Sequence, residues 1–226
     1  MKAFFEFLYL AFWIAPKVFW FSLKEEKKVR SIFYKNPAFK EVDLFFRKTY
    51  RFKNPYKISR AYQQEKEPDS LHVYGETPLT VFHEMFERGA LKESDSFCDL
   101  GCGRGRGAFF ASYFWKCQSF AIDQIPFFIE QGKKISDCFP KSHFLLHEIN
   151  DFDLSLGTFF YFYSLCLKEE DLQKVLFHLK TMKVGSKLIT VSFPISEYES
   201  SFEMISNWKA SYPWGQTDLF LHLKKS

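Results

Sequence analysis

The chain has 226 residues and carries 31 Lys and Arg against 27 Asp and Glu, a formal net charge of +4. Its 46% hydrophobic and 26% charged residues exclude a disordered or collagen-like chain, and its mean hydropathy of -0.22 excludes a polytopic membrane protein. The length suits one substantial domain with a short appendage, and the net charge is too small to indicate nucleic-acid binding.

The charge is distributed unevenly along the chain. Residues 1–66 hold 15 Lys and Arg against 6 Asp and Glu, whereas residues 67–226 hold 16 against 21. A basic, aromatic first part therefore precedes a mildly acidic body. We predict an apolar aromatic leader over residues 1–23, a basic aromatic helical extension over 24–69 and one folded domain over 70–226.

The leader is almost wholly apolar and rich in Phe and Trp. Its length matches a membrane span of about 20 residues, but Glu6, Pro16 and Lys17 argue against a clean one. The basic run over residues 24–30 suits lipid headgroups. We expect membrane association, by a true span or by peripheral insertion, with the body at the cytoplasmic face. The alternative is a Phe-rich helix that packs on its own domain.

Aromatic and basic residues interleave over residues 31–64. Such a mixture suits a nucleic-acid surface, a juxtamembrane segment or helices that cover one face of a domain. Phe39, Val42, Phe45 and Phe46 recur at helical spacing, which favours a helix that packs on the domain. We therefore expect no nucleic-acid partner.

In the body, apolar runs alternate with helical patterns, which is typical of an α/β sheet with crossover helices. The predicted helices cover 78–90, 107–117, 126–138 and 168–182. The predicted strands cover 96–100, 119–122, 142–146, 158–163 and 187–192, followed by a closing pair over 204–211 and 218–224. This order predicts an α/β fold with a seven-stranded, mostly parallel sheet, a C-terminal antiparallel hairpin and an N-terminal helical extension.

A glycine-rich loop follows the first predicted strand and precedes a helix. The segment from Asp99 to Gly107 reads DLGCGRGRG, which lets the backbone approach a ligand that a Cβ atom would obstruct. Gly103, Gly105 and Ala108 loosely satisfy the dinucleotide pattern G-x-G-x-x-G/A, but a single match of that kind is weak.

Acidic residues at three successive strand ends favour S-adenosylmethionine over a dinucleotide. Asp99 ends the first strand, Asp123 ends the second, and an acidic cluster over residues 148–151 follows the third. Three carboxylates there suit a cationic sulfonium ligand and would repel a pyrophosphate.

The segment from Tyr74 to Pro194 resembles the class I, Rossmann-like S-adenosylmethionine-dependent methyltransferases, with FCDLGCGRGRG matching their first motif. The runs YGETPL, DFDLSLGTFFYFYS and LITVSFPI are similar to the corresponding segments of one subgroup of this class. It contains bacterial proteins and membrane-anchored mitochondrial protein-lysine methyltransferases, and is distantly similar to the Dot1 enzymes. The resemblance implies a methyltransferase whose acceptor is a protein amine, such as lysine.

The resemblance also implies which residues hold the cofactor. They are Tyr74, Thr77, Asp99, Gly101, Gly103, Gly105, Asp123, Glu148 and Asp151. Asp99 and the glycines would line the methionine end, and Asp123 would hold the ribose. Glu148 would lie near the adenine, with Asp151 as its alternative. Tyr74 and Thr77 would lie over the cofactor's carboxylate. Arg104 departs from the small polar residue usual in relatives, and either neutralises nearby acids or points into solvent.

Catalysis in this class is mainly proximity, so we predict no particular catalytic base. The substrate-channel candidates follow the fourth and fifth strands and are Tyr163, Ser164, Phe193 and Pro194. Tyr161 and Tyr163 alternate with Phe160 and Phe162, so only one of these pairs can face the site. FYSL stands where DNA- and glutamine-methylating enzymes carry D/N-P-P-Y/F, which counts against those substrates.

Two other functions remain open at this point. The apolar leader also suits a lipid or quinone methyltransferase, and a degenerate site would leave a non-catalytic cofactor-binding membrane adaptor. The 5 Cys and 6 His lack the spacing of a metal site, so we expect no metal and no disulfide framework.

Overall fold

The computed structural model describes residues 15–66, 74–136, 141–163 and 169–225. Its strands are β1 (Ser96–Leu100), β2 (Gln118–Asp123), β3 (Ser142–Leu146), β4 (Phe159–Tyr163), β5 (Lys187–Val191), β6 (Phe202–Tyr212) and β7 (Gly215–Lys224). They form one seven-stranded sheet in the order β3-β2-β1-β4-β5-β7-β6. Strands β1 to β5 run parallel to one another, and β7 pairs antiparallel with both β5 and β6. The predicted fold class is confirmed.

Helices cover both faces of this sheet. They are α1 (Ala15–Ile32), α2 (Pro37–Thr49), α3 (Pro55–Lys66), α4 (Leu79–Arg88), α5 (Arg106–Phe114), α6 (Pro126–Ser136) and α7 (Glu169–Leu179). The four helices predicted in the body are present, and α4 and α5 are shorter than predicted. For example, α5 ends three residues early, because Lys116 takes a left-handed conformation (φ 58°) that turns the chain into β2.

The sheet separates two apolar cores, and the alternation of residues along each strand explains why. Phe97 of β1 and Phe159 of β4 are buried on the face covered by α4 and α5. Cys98 and Phe160 are buried on the opposite face. Since central parallel strands are buried on both sides, they read as continuous apolar runs in the sequence.

The N-terminal helices belong to the first of these cores. Phe33, Phe39 and Phe46 are buried there, and the ring of Phe39 stacks on that of Phe109 with centroids 5.6 Å apart. The predicted helix over this segment is present, but Phe45 is exposed. The reason is that Phe39 and Phe46 lie two turns apart on one face, and Phe45 lies about 100° away from Phe46.

The predicted apolar leader falls mostly on residues 1–14, which lie outside the described residues. Its last part forms the start of α1, where Phe19 is 59% and Trp20 62% exposed. Within the described ranges, no helix combines the length and hydropathy of a membrane span. Whether the leader associates with a membrane therefore stays a prediction.

Candidate cofactor site and active site

A cavity of about 350 Å³ lies at the carboxyl ends of β1, β2 and β4. This edge of an open α/β sheet is where such folds bind ligands, and the volume is typical of small-molecule sites. Among the residues predicted to bind cofactor or substrate, those that line the cavity are Tyr74, Thr77, Asp99, Gly101, Asp123, Glu148 and Tyr163.

The glycine loop forms one wall of this cavity. Gly101 has a φ of +81°, and no atom lies within 4 Å of the position that a Cβ atom would take. Gly103 has a φ of +53°, and a Cβ there would lie 2.7 Å from Oη of Tyr74. Gly101 therefore leaves room for a ligand, whereas Gly103, like Gly105, is required by packing beneath the loop.

Two buried carboxylates lie at the base of the cavity. Asp123 accepts hydrogen bonds from the backbone N–H groups of Gly103 (2.8 Å) and Ile125 (2.9 Å). Burial raises the pKa of Asp99 to about 8, with the charge of Asp123 adding to the rise. Burial also raises the pKa of Asp123 to about 6, although its backbone hydrogen bonds act in the opposite direction. A cation in the cavity would stabilise both ionised forms.

Sequence reasoning missed Glu76, which lies in the YGETPL run and lines the cavity. Its carboxylate forms an ion pair with Arg104, whose guanidinium lies over the ring of Tyr50, 5.0 Å from the centroid. Arg104 therefore neutralises an acid and does not point into solvent. The unusual Arg104 in the loop, together with the acidic Glu76 in the neighbouring YGETPL run, could have indicated this ion pair.

Helix α3 covers the open side of the cavity. Ser59, Gln63 and Lys66 share one helix face and line it. Nζ of Lys66 donates to Oε1 of Glu148 at 3.0 Å, and Glu148 is 56% exposed. Asp151, the predicted alternative to Glu148, does not line the cavity. No local pattern indicated that α3 contacts this cavity, because 82 residues separate Lys66 from Glu148.

Tyr161 and Tyr163 line the cavity, and Phe160 is buried in the opposite core. Phe162 belongs to that core as well, although part of it also borders the cavity. The hydroxyl oxygens of Thr77 and Tyr161 are 2.5 Å apart. The ring centroids of Tyr163 and Trp214 are 6.0 Å apart. The tyrosines are thus the pair of β4 that faces the site, and the turn between β6 and β7 adds an aromatic wall.

Two of the other substrate-channel candidates lie away from the cavity, and the third is not described. Ser164 lies outside the described residues. Phe193 and Pro194 do not line the cavity, because Ser192 turns the chain with a φ of 57° as β5 ends. The ring of Phe193 then stacks on that of Tyr198, with centroids 4.5 Å apart.

In the described part of the chain, no three His, Cys, Asp or Glu side chains are grouped closely enough to hold a metal ion. Cys98, Cys102 and Cys117 are free thiols there. Burial raises the pKa of Cys117 to about 11, which keeps that thiol protonated and unreactive near neutral pH.

Several solved structures have a similar overall fold at low sequence identity. An RNA methyltransferase from Salinibacter ruber, crystallised with S-adenosyl-L-homocysteine, aligns at a TM-score of 0.56 and 19% identity, covering 67% of this chain and 94% of its own. A mutant of MtNAS in complex with S-adenosylmethionine aligns at 0.56 and 12%, covering 86% and 76%. TrmN from Thermus thermophilus aligns at 0.55 and 10%, covering 64% and 48%.

The chain therefore has the fold of the class I S-adenosylmethionine-dependent methyltransferases. Residues 58–144 match the family model of the histone methylation protein DOT1. No curated protein sequence matches the chain significantly. The DOT1 match spans α3, the segment before α4, the glycine loop and β2, which are the parts that surround the cavity. Fold and family match together indicate a methyltransferase that uses S-adenosylmethionine.

Proposed function

We propose that the protein transfers a methyl group from S-adenosylmethionine to a protein amine, with lysine as the favoured acceptor. The observation that carries this proposal is a cavity lined by open glycine backbone with Asp99 and Asp123 buried at its base. The chemistry of these groups fits a sulfonium cofactor, because buried carboxylates with raised pKa values gain a partner when a cation binds. A pyrophosphate would instead meet two acids.

In this proposal the chain supplies binding and orientation. Asp99 and Gly101 lie at the methionine end, Asp123 accepts from the ribose hydroxyl groups, and Glu148 lies near the adenine. Thr77 lies near the cofactor's carboxylate. The buried pair of Glu76 and Arg104 holds the segment before α4 against the glycine loop, which keeps the two walls of the cavity in register.

The bound cofactor supplies an already activated methyl group, so the protein must align the acceptor lone pair and exclude water. Tyr163 and Trp214 form an aromatic wall beside Gly75, where a Cβ would lie 3.4 Å from the ring of Trp214 and 3.4 Å from Oη of Tyr163. An aromatic, desolvated mouth lowers the pKa of an entering ammonium group and so favours loss of its proton. The DOT1 match supports a protein amine as the acceptor.

The proposal is tested by calorimetry with S-adenosylmethionine and by incubation of labelled cofactor with a cell extract. We expect one binding site that Asp123→Asn weakens at least about tenfold, with Asp171→Asn, at the cavity rim on α7, as the control. We also expect the labelled methyl group to remain with the protein fraction after solvent extraction. Label found only in solvent-extractable lipid would replace the lysine proposal by lipid or quinone methylation. Binding without any methyl transfer would leave a non-catalytic adaptor, and no binding would refute the enzyme.

We further propose that the protein works at the cytoplasmic face of a membrane. Phe19, Trp20 and Leu23 are exposed on α1, and the next residues, 24–30, carry a cluster of Lys and Arg. Apolar rings beside a basic run suit the interface of an anionic bilayer. Carbonate extraction of fractionated cells, together with vesicle flotation, tests this: protein that stays wholly in the soluble fraction contradicts it.

A further inference from the structure

A second cavity, of about 500 Å³, lies beside the cofactor cavity. Its walls are α1, the C-terminal end of α2 and the segment that leads into α4. The two cavities share Glu76, Thr77, Arg104 and Arg106. The second cavity contains neither Asp123 nor Glu148, so it is separate from the proposed ribose and adenine site.

Two buried polar atoms at this cavity have no hydrogen-bond partner among the described residues: Tyr50 Oη and Arg104 Nε. Tyr50 is only 6% exposed and lines the second cavity but not the first. A guanidinium Nε can only donate, and a phenol can donate as well. Since leaving buried donors without an acceptor is costly, these atoms indicate a ligand that presents oxygen acceptors.

The charges around the cavity indicate the sign of that ligand. Three lining arginines are paired with carboxylates: Arg47 with Glu26, Arg104 with Glu76 and Arg106 with Asp43. The lining carboxylate of Glu25 accepts hydrogen bonds from the backbone N–H and the hydroxyl of Thr80 in the first turn of α4, where the helix dipole favours negative charge. Arg51 lines the cavity, its guanidinium lies 5.5 Å from the ring centroid of Phe52, and no ion pair joins it to a carboxylate of the described residues. Glu25 is held by its hydrogen bonds to α4, which leaves Arg51 as the lining charge that can attract a monoanionic group.

The remaining wall is apolar. Helix α1 contributes Val18 and Phe21 to it, and the neighbouring rings of Phe19 and Trp20 are exposed on the same helix. A ligand whose charged end lies at Tyr50 therefore has a hydrocarbon surface along which to extend. A ligand with a charged head group and an apolar body is an amphiphile.

We propose that the second cavity binds an anionic amphiphile, a monoanionic oxyanion head group on a hydrocarbon chain. The head accepts hydrogen bonds from Tyr50 Oη and Arg104 Nε, and the chain lies along Val18 and Phe21 of α1. This site goes beyond the proposed methyl transfer and does not depend on it.

Calorimetry on the full chain tests the proposal with three probes: dihexanoyl-phosphatidylglycerol below its micellar concentration, octyl glucoside and inorganic phosphate. We expect the anionic phospholipid to bind with one-to-one stoichiometry and at least about tenfold more tightly than either other probe. Equal binding of inorganic phosphate would overturn the amphiphile, since the chain would then contribute nothing. Equal binding of octyl glucoside would overturn recognition of the head group.

Matched variants locate the site. Tyr50→Phe removes only the hydroxyl and should weaken phospholipid binding about three- to tenfold, whereas Tyr198→Phe, on an exposed tyrosine, should not. Arg51→Gln should weaken binding, and Arg60→Gln, on the exposed face of α3, should not. Thermal melting confirms that each variant is folded. Unchanged affinity in Tyr50→Phe would overturn the site.

Saturating S-adenosylhomocysteine separates this proposal from the proposed function. We expect it to leave phospholipid affinity unchanged, and direct competition would assign the unpartnered atoms to the cofactor and overturn the second site. If S-adenosylhomocysteine fails to bind at all while the phospholipid binds and Tyr50→Phe weakens it, the proposed function fails and the second site stands.

Discussion

Asp99 and Asp123 end neighbouring parallel strands, β1 and β2, and both are buried. Burial penalises the ionised form of a carboxyl group, and the proximity of two such groups adds repulsion. The raised pKa values, about 8 for Asp99 and about 6 for Asp123, therefore describe a site arranged for a positive charge. Without a bound cation, the burial of these two carboxyl groups lowers the stability of the folded protein.

The first prediction concerns the affinity for S-adenosylmethionine as a function of pH. Below the pKa of about 8, Asp99 is mainly protonated in the free protein, so binding of a cation must release a proton. The affinity should therefore rise between about pH 6 and 7.5, by at most about tenfold per pH unit for one proton. Calorimetry in buffers of different ionisation enthalpy measures the released proton.

The variant Asp99→Asn should bind more weakly and should flatten that pH dependence, since the titrating group is gone. The titration of the ligand itself affects both proteins equally and cancels in the comparison. A slope that is identical in the variant and the parent would contradict the assignment to Asp99.

The second prediction concerns stability. In the folded protein Asp99 keeps its proton up to a pKa of about 8, whereas in the unfolded chain it ionises near the ordinary aspartate pKa of 3.8. Between these values the unfolded state binds fewer protons, so the free energy of unfolding should fall as the pH rises. Asp99→Asn should reduce this fall, and urea unfolding at several pH values between about 4 and 8 measures it. A slope as steep in Asp99→Asn as in the parent would exclude Asp99 as its source.

At the scale of elements, α2 is tied to the glycine loop by a buried ion pair. Asp43 accepts hydrogen bonds from Nε (2.9 Å) and a terminal nitrogen (2.7 Å) of Arg106, the first residue of α5. It also accepts from the hydroxyl of Tyr34 at 2.7 Å. Because Arg106 lines both cavities, α2 orients a side chain of the site from outside the sheet.

The third prediction follows from that contact. Asp43→Ala leaves the partly buried guanidinium of Arg106 unpaired, so we expect a loss of about 3 kcal/mol in the free energy of unfolding and weaker binding of S-adenosylmethionine. Glu41→Ala, on the exposed side of the same helix, is the matched control and should change stability by less than about 0.5 kcal/mol. Equal losses in the two variants would show that the Asp43–Arg106 pair does not anchor the loop.

At the scale of the whole molecule, the N-terminal helices complete the core on one face of the sheet. Phe33 packs edge-on against Phe110, with centroids 4.8 Å apart, and Phe39 contacts Phe109 and Phe114. Removal of these helices would expose a contiguous aromatic surface on α5. Exposed patches of that kind cause aggregation in soluble domains.

The fourth prediction is that residues 70–226, expressed alone, do not form a stable monomer. We expect aggregation or binding of a hydrophobic dye, compared with the full chain in the same buffer. Size-exclusion chromatography with light scattering is the measurement. A monomeric fragment with the melting temperature of the full chain would contradict a shared core.

Local patterns in the sequence were sufficient for the sheet. Short apolar runs identified β1 and β3 with their observed bounds. The run in β1 is continuous because that central strand is buried on both faces of the sheet, whereas β3 lies at the edge and is buried only in part. The glycine loop and the acids at the ends of β1 and β2 were also readable, since the carboxyl ends of neighbouring parallel strands must meet at one edge. Strands β6 and β7 extend beyond their predicted bounds, because the residues added at their ends include the polar Glu203, Gln216 and Thr217, which interrupt the apolar pattern.

The amino-acid sequence by itself determined the fold class, the glycine loop and the acidic strand ends, because each depends on residues that are close in the chain. Only the tertiary structure decided that Lys66 reaches Glu148, that Arg104 pairs with Glu76 and that Phe193 turns away from the cavity. It also decided that Tyr50 and Arg51 line a second cavity. These contacts join segments far apart in the chain, and no local pattern encodes the packing that brings them together.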